Sequence, residues 1–234
     1  MQVPHYIFCK ILMRPKLVKF CGITQSTDAQ YCVDLGADAL GFIFHPQSPR
    51  NLSIEQFRNL SGQIDFKGCI KVAVAVTPDQ KLIESLISLG FEKFQFHFPL
   101  DLSKEEVKKW SELVGKENLW LAPKLKPSDH FPHDYLEEAS TFLIDAYSEK
   151  SFGGTGQTAD WGRFSNLKKE FSENLWVLAG GLSPSNLEEA ILRNLPQGVD
   201  INSGVESAPG VKNTIKIDQI FSVLKKFTDP SGSI

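Results

Sequence analysis

The sequence lacks several features that would place it at once in a particular class of protein. No apolar run reaches the length that spans a membrane. The formal net charge is only −3 and the pI is near 6.0, so bulk charge favours neither nucleic acid nor an anionic membrane as a partner. Neither partner is therefore expected. A hydrophobic content of 41% and a charged content of 23% are ordinary for a globular protein with a large core.

Cysteine is scarce, and no two cysteines have the close spacing that metal and redox sites use; they are Cys9, Cys21, Cys32 and Cys69. We expect reduced thiols and a cytoplasmic protein. Residues 1–12 have no basic leader and no small-residue cleavage site, so no signal peptide is expected. Because Met13 stands just before the first strand-like run, we predict that 1–12 are a disordered extension or an upstream start. Residues 13–228 then form one domain, and 229–234 form a flexible tail.

Strand-like and helix-like segments alternate eight times along the chain. The periodicity predicts strands over 16–23, 38–44, 69–76, 91–98, 119–125, 141–147, 175–181 and 198–205. A helix is predicted after each strand, with start signals at Ser26, Ser53 with Gln56, Thr77 with Pro78, and Ser103. The segment after the fifth strand is rich in Pro, His and Asp, so its helix, over 132–139, is expected to be short.

Helical crossovers between successive strands predict a parallel sheet. An open doubly wound sheet accommodates this order, but eight units in one chain of this length fit a closed (βα)8 TIM barrel better. No linker or change of composition divides the chain, so a single domain is expected.

In such a barrel the active site lies where the strands end, at their C-terminal edge. Cys21 and Asp145 occupy that position on the first and sixth strands. A buried structural cysteine and a carboxylate that caps a helix are the plainer interpretations. In a partly dry cavity, however, the pKa of a carboxyl rises, and a thiolate opposite a protonated carboxyl makes an acid/base pair.

Glycine-rich segments follow the last three strands. Gly180 and Gly181 follow the seventh strand, and Ser203 and Gly204 follow the eighth, which is where such barrels commonly bind phosphate through loop amides. The run around Gly154 is either a flexible loop or a lid that approaches the substrate. Arg50, after the second strand, is either a surface charge or a bidentate grip on a carboxylate.

Five ordered motifs resemble a known family. They are VKFCGIT, GADALGFIFHPQSPRNLS, LIDAYSEKSFGGTGQTADW, VLAGGLSPSNLEEAI and GVDINSGVESAPGVKN, which together are similar to phosphoribosylanthranilate isomerase of tryptophan biosynthesis over about residues 17–227. The resemblance implies the Amadori rearrangement of N-(5'-phosphoribosyl)anthranilate to 1-(o-carboxyphenylamino)-1-deoxyribulose 5-phosphate. The ligand is then a phosphosugar. The chemistry of this rearrangement needs neither a metal nor a redox cofactor, so no cofactor is expected. Apolar residues left over on the helices allow a homodimer, and a monomer is equally allowed.

Position by position, the resemblance implies that Cys21 is the general base, Asp145 the general acid and Arg50 the group that holds the anthranilate carboxylate. Gly154, Gly180, Gly181, Ser203 and Gly204 are then substrate-binding residues. Lys19 shares a strand face with Cys21, so we expect it either to favour the thiolate or only to fill a layer of the barrel.

The chain also departs from the family pattern. Phe98 stands where the family usually has glycine, Pro123 lies inside the fifth strand, and we expect either to alter the pocket. His97 is expected to be structural or loop-binding rather than catalytic.

Two rival functions stay open from sequence alone. One is another phosphosugar isomerase or epimerase on the same barrel, although no HxH or carboxylate cluster suggests a metal-dependent epimerase. The other is an inactive barrel that only binds a phosphorylated ligand or a partner protein.

Overall fold

The computed structural model describes residues 14–126, 128–145 and 161–227. Eight parallel strands form a closed barrel in which each strand pairs with the next, and β8 pairs with β1. The strands are β1 Leu17–Phe20, β2 Ala39–Ile43, β3 Ile70–Val76, β4 Lys93–Pro99, β5 Leu119–Lys124, β6 Thr141–Ile144, β7 Leu175–Leu178 and β8 Gly198–Ile201. The predicted TIM barrel is confirmed, and the doubly wound alternative is wrong.

Seven α-helices of the described residues surround the barrel. They are α1 Ser26–Asp34, α2 Ile54–Ser61, α3 Gln80–Ser88, α4 Lys104–Val114, α5 Trp161–Glu170, α6 Leu187–Asn194 and α7 Thr214–Leu224. A short antiparallel hairpin, β9 Glu206–Ala208 and β10 Val211–Lys212, separates β8 from α7. Within the described ranges, no helix is both long and apolar enough to cross a membrane. The predicted extension and tail, 1–12 and 229–234, lie outside the described residues.

Alternation along each strand divides the side chains into two layers. On β1, Val18 and Phe20 point outward into the large core between barrel and helices, whereas Leu17 and Cys21 belong to the smaller core inside the barrel. Lys19 is on the same inward face and is fully buried. The barrel interior therefore carries charge close to the end of β1.

The capping predictions had mixed outcomes. Ser53 and Gln56 form the predicted capping box of α2, and Ser103 accepts a hydrogen bond from the Glu106 amide at the start of α4. Ser26 was predicted wrongly as a cap: its hydroxyl donates to the Gln63 side chain instead, and Gln25 occupies the N-cap position.

The start of α3 was also predicted wrongly. Thr77 lies in a turn with φ of 40°, and the side chain of Asp79 accepts from the Leu82 amide as the true cap. The segment predicted as a short helix over 132–139 is a 3-10 helix, His133–Glu137.

The two departures from the family pattern do not reach the predicted site. Phe98 is fully buried on the outward face of β4, where it packs edge-on against Trp110 and Tyr135. Period-two alternation places it there, because its neighbour His97 points inward. Pro123 pairs in register with Phe98, and the β5–β6 register covers only Trp120 and Leu121 of β5, so Pro123 lies beyond that ladder.

Candidate active site

A cleft opens at the C-terminal ends of the barrel strands and encloses about 690 Å³, including its open mouth. Seven of the eight residues predicted for the site line this cleft: Cys21, Arg50, Asp145, Gly180, Gly181, Ser203 and Gly204. The eighth, Gly154, lies outside the described residues. Among the described residues, neither Phe98 nor Pro123 belongs to the lining.

Cys21 follows β1 directly and is 4% exposed. Its amide donates to the carbonyl of Ile201, which fastens the end of β1 to the end of β8. Lys19 Nζ lies 2.9 Å from Asp200 Oδ1, and its positive charge acts on the nearby Cys21 thiol. Gly41 leaves room for the Cys21 thiol and the Lys19 ammonium, since a Cβ at Gly41 would lie 2.8 Å from the sulfur and 3.0 Å from Lys19 Nζ.

Burial and charge act in opposite directions on this thiol. Burial raises the pKa of Cys21 most strongly, and the charge and hydrogen bond of Lys19, with the charge of Lys212, only partly oppose it. Burial likewise tends to lower the pKa of Lys19, but the charges of Asp200 and Cys21 outweigh it and raise that pKa. The charge of Lys19 acts in favour of the thiolate, whereas burial acts more strongly against it.

Asp145 follows β6 directly and is partly buried in the lining of the cleft. Its position after an apolar strand brings a carboxyl to the same cavity as the Cys21 thiol. The predicted increase in the pKa of Asp145 stays a prediction.

Arg50 is buried and already has a carboxylate partner. Its Nε and Nη2 lie 2.9 and 2.6 Å from the two oxygens of Glu206, the first residue of β9. Lys212 on β10 lies 3.0 Å from Glu206 Oε1. Sequence reasoning missed both Glu206 and Lys212; the available signal was two opposite charges across a short hairpin that follows β8.

The loops after β7 and β8 pack against each other through glycine. A Cβ on Gly204 would lie 1.9 Å from the Leu182 carbonyl oxygen, so no other residue fits without a shift of backbone. Gly180 and Gly181 have φ of 86° and 64°, which favours glycine. Asn186 ties this turn by donating to the Gly181 carbonyl and accepting from the Ser183 amide.

The amides of these loops are available to a ligand. Within the described residues, no protein group accepts from the N–H of Gly180, Gly181, Ser203 or Gly204. These four residues are partly exposed, and a group of N–H donors beside a cavity, with no protein partner in the described residues, suits an anion such as phosphate.

His97 and Gln95 line the inner part of the cleft from β4. Their side chains lie 2.8 Å apart, and burial lowers the pKa of His97 to about 3. The imidazole is therefore neutral at physiological pH. Gln95 Oε1 is buried and accepts no hydrogen bond from the described residues. Within those residues, no group of three or more His, Cys, Asp or Glu side chains is arranged to hold a metal ion.

Comparisons with known proteins agree with this architecture. The family model described as N-(5'-phosphoribosyl)anthranilate (PRA) isomerase matches residues 18–223. N-(5'-phosphoribosyl)anthranilate isomerase of Legionella pneumophila (strain Lens) is 37% identical over 212 residues, which cover 88% of this chain and 96% of the relative.

Solved structures of this kind superpose along the same length. The crystal structure of phosphoribosyl anthranilate isomerase from Thermotoga maritima matches with a TM-score of 0.73 and 30% identity, covering 90% of this chain and 99% of that one. A phosphoribosyl anthranilate isomerase in complex with reduced 1-(o-carboxyphenylamino)-1-deoxyribulose 5-phosphate matches with a TM-score of 0.71 and 28% identity, with coverage of 90% and 99%. Because the family model and the Legionella relative both extend along nearly the whole barrel, the chain belongs to the N-(5'-phosphoribosyl)anthranilate isomerase family.

Proposed function

We propose that Cys21 is the general base and Asp145 the general acid of the reaction this enzyme catalyses. That reaction is the isomerisation of N-(5'-phosphoribosyl)anthranilate in tryptophan biosynthesis. The observation that supports the two roles is that both side chains line one cleft, together with loop amides that have no partner in the described residues. Family membership removes the case for the epimerase and for the inactive barrel.

The first step is opening of the ribose ring. Asp145 gives its proton to the ring oxygen as the bond between that oxygen and C1 breaks. The lone pair of the anilino nitrogen forms the C1–N double bond, which leaves a cationic Schiff base. General acid catalysis of this kind typically contributes about 10²–10⁴-fold to a rate.

The second step is removal of the proton on C2. The cationic nitrogen withdraws electrons, so the C2–H bond is far more acidic than in an ordinary sugar. A thiolate is a weak base, with an ordinary pKa of about 8.5, but it suffices for this carbon acid. The electron pair of the C2–H bond becomes the C1–C2 double bond of an enolamine, which tautomerises to the ketose.

Lys19 supports the base in this scheme. Its ammonium group is fully buried inside the barrel, is held by Asp200, and acts through its charge on the Cys21 thiol. A positive charge at that place stabilises the thiolate relative to the thiol, while burial opposes it. Lys19 therefore sets how much thiolate is available at a given pH.

Two anchors hold the ends of the substrate. The N–H groups of Gly180, Gly181, Ser203 and Gly204 bind the phosphate, and Arg50 binds the anthranilate carboxylate. We also propose that Gly154 binds the substrate. The phosphosugar ligand of the related complex supports a phosphate site in this cleft.

The roles are tested by following the change in anthranilate fluorescence with freshly generated substrate. Cys21→Ser and Asp145→Asn should each lower kcat by at least about a hundredfold. Matched controls are Cys69→Ser and Asp101→Asn. Cys69 directly precedes β3, at the end of the strand that lies away from the cleft, and Asp101 is on the surface; neither residue lines the cleft. Variants with near-parental rates, in folded protein, would contradict the assignments.

A deuterium label at C2 of the ribosyl group separates the two steps. In Cys21→Ser the proton transfer from C2 becomes slower, so the isotope effect on kcat should persist or grow. In Asp145→Asn ring opening becomes rate-limiting, so the isotope effect should shrink toward one. The reverse pattern would exchange the two roles.

We also propose a cytoplasmic location. The mechanism requires Cys21 as a free thiol, and a reducing compartment preserves it. Cys21, Cys32 and Cys69 are all unpaired in the described part of the chain, in agreement with that requirement.

A further inference from the structure

We propose that Glu206 is the positioning residue of Arg50, and that Lys212 fixes Glu206 in turn. The inference rests on the proposed role of Arg50 in binding the substrate carboxylate. It concerns the β9–β10 hairpin, none of whose residues belongs to the lining of the cleft.

The contact between Glu206 and Arg50 uses one particular edge of the guanidinium group. Nε donates to Glu206 Oε1 at 2.9 Å, and Nη2 donates to Oε2 at 2.6 Å. A guanidinium group has a second bidentate edge, made by Nη1 and Nη2. Within the described residues Nη1 donates no hydrogen bond, and Arg50 lines the cleft. The pair with Glu206 therefore orients Arg50 and leaves its second edge for a ligand carboxylate.

Glu206 is itself held from three directions. Its Oε1 accepts from the Gly210 amide at 3.2 Å and from Lys212 Nζ at 3.0 Å, in addition to Arg50. Glu206 and Lys212 are paired across the hairpin, so the fold of this short element sets their contact. Burial favours the protonated carboxyl, but Arg50 and Lys212 outweigh it and lower the pKa of Glu206. The carboxylate is thus a fixed, charged acceptor.

Lys212 joins this group to the base. Its ammonium donates to the carbonyl of Cys21 at 2.6 Å and to Asn202 Oδ1 at 3.0 Å, besides Glu206. One buried cation thereby connects the backbone at Cys21 to the carboxylate that orients Arg50. The backbone of the proposed base and the proposed carboxylate-binding arginine are therefore held in one hydrogen-bond network.

A purely structural role accounts poorly for this arrangement. The side chains of Arg50, Glu206 and Lys212 are 9%, 5% and 0% exposed. Well-packed apolar residues often stabilise a protein as much as a buried ion group does. Two cations with one anion leave an excess positive charge beside the cleft, which suits an anionic ligand group.

The test measures binding rather than turnover, so it is independent of the roles of Cys21 and Asp145. The ligands are the reduced product analogue found in the related complex and its counterpart without the ring carboxylate. In the parent, the carboxylate should improve Kd by at least about tenfold, as expected for a charge-assisted bidentate contact. In Glu206→Gln this ratio should fall to about threefold or less, while Kd for the counterpart changes by less than about threefold.

Controls separate this role from general damage. Glu189→Gln removes the same charge from an exposed pair with Arg193 on α6, and it should keep the parental ratio. Glu206→Asp keeps the charge but withdraws it by one methylene, so it should also lower the ratio. A parental ratio in folded Glu206→Gln or Glu206→Asp would overturn the inference. A ratio near one in the parent would overturn the role of Arg50 and the inference with it, and would leave the acid/base pair untouched.

A measurement on the parent protein needs no folded variant of Glu206. The Nε–H resonance of Arg50, assigned by its loss in Arg50→Lys, should be protected from solvent exchange both before and after the analogue binds. Exchange that becomes fast on binding would mean that the ligand displaces Glu206, and it would overturn the proposal.

Discussion

Cys21, the proposed general base, is buried, and burial opposes its ionisation. Burial raises the pKa of the thiol. The charge of Lys19 lowers this pKa, but by less than burial raises it. Burial also has a use in the proposed mechanism, because a Schiff base held deep in the cleft is shielded from water. Lys19, which is held by Asp200 inside the barrel, supplies a positive charge that partly offsets the effect of burial on Cys21.

The pH dependence of Cys21 follows from the direction of its pKa. Because that pKa is raised, the thiol is the resting form at neutral pH, and the thiolate fraction grows as the pH rises. We expect the rate of alkylation of Cys21 by iodoacetamide to increase between about pH 7 and pH 9. In Lys19→Met the increase should shift upward by about one pH unit or more, since a buried charge near a thiol has effects of that size.

Lys16→Met serves as the control for this shift, because Lys16 is exposed. Alkylation is read by mass spectrometry at each pH, which avoids any contribution from ionisation of the substrate phosphate. Profiles that coincide for the parent and Lys19→Met would show that Lys19 only fills the barrel interior.

At the scale of elements, local signals were reliable where a side chain had no competing partner. Ser53 and Gln56 satisfy each other's backbone amides, so their spacing is enough to predict the cap. Ser26 has the same chemistry, but Gln63 from the α2–β3 connection takes its hydroxyl. Thr77 fails because the turn after β3 forces it into a left-handed conformation, which moves the helix start to Asp79.

This contrast predicts unequal costs for two serine substitutions. Ser53→Ala should lower the free energy of unfolding by about 1 kcal/mol, because the Gln56 amide loses its acceptor. Ser26→Ala should change it by about 0.5 kcal/mol or less, since only an exposed side-chain contact is lost. Chemical denaturation of both variants measures the difference, and equal losses would contradict the assignment of the caps.

At the scale of the whole molecule, the closed barrel determines which groups must remain uncharged. His97 lies inside the barrel on β4, and burial lowers its pKa to about 3 with help from the charges of Lys19 and His45. An unfolded histidine has a pKa near 6.5. Between these values the unfolded state binds more protons than the folded state, so stability rises with pH in that window and is lost as the pH falls.

We therefore expect His97 to cost the protein about 2 kcal/mol of stability on going from pH 7 to pH 5. His97→Gln should remove most of this part of the pH dependence, because glutamine does not titrate and can still hydrogen-bond to Gln95. His130→Gln, at an exposed position, is the matched control. Urea unfolding at the two pH values provides the comparison, and equal slopes for the parent and His97→Gln would show that His97 is not buried in its neutral form.

The sequence by itself determined the barrel and the approximate place of most of the site. Eight alternating units need helical crossovers, and parallel strands bring all their C-terminal ends to one edge, so Cys21, Asp145 and the glycine loops could be assigned to that edge without coordinates. Period two along β4 also places Phe98 on the face that points away from the cleft, so the expectation that Phe98 alters the pocket is wrong.

Only the tertiary structure decided the partners of these residues. Asp200 meets Lys19 because β8 closes the barrel against β1, across a separation of 181 residues. Glu206 meets Arg50 because the hairpin after β8 folds over the loop after β2, 156 residues away. Burial is equally a property of the closed barrel, and it sets the pKa values of Cys21 and His97. Sequence periodicity specifies the face of an element, whereas contacts between distant elements arise only when the barrel closes.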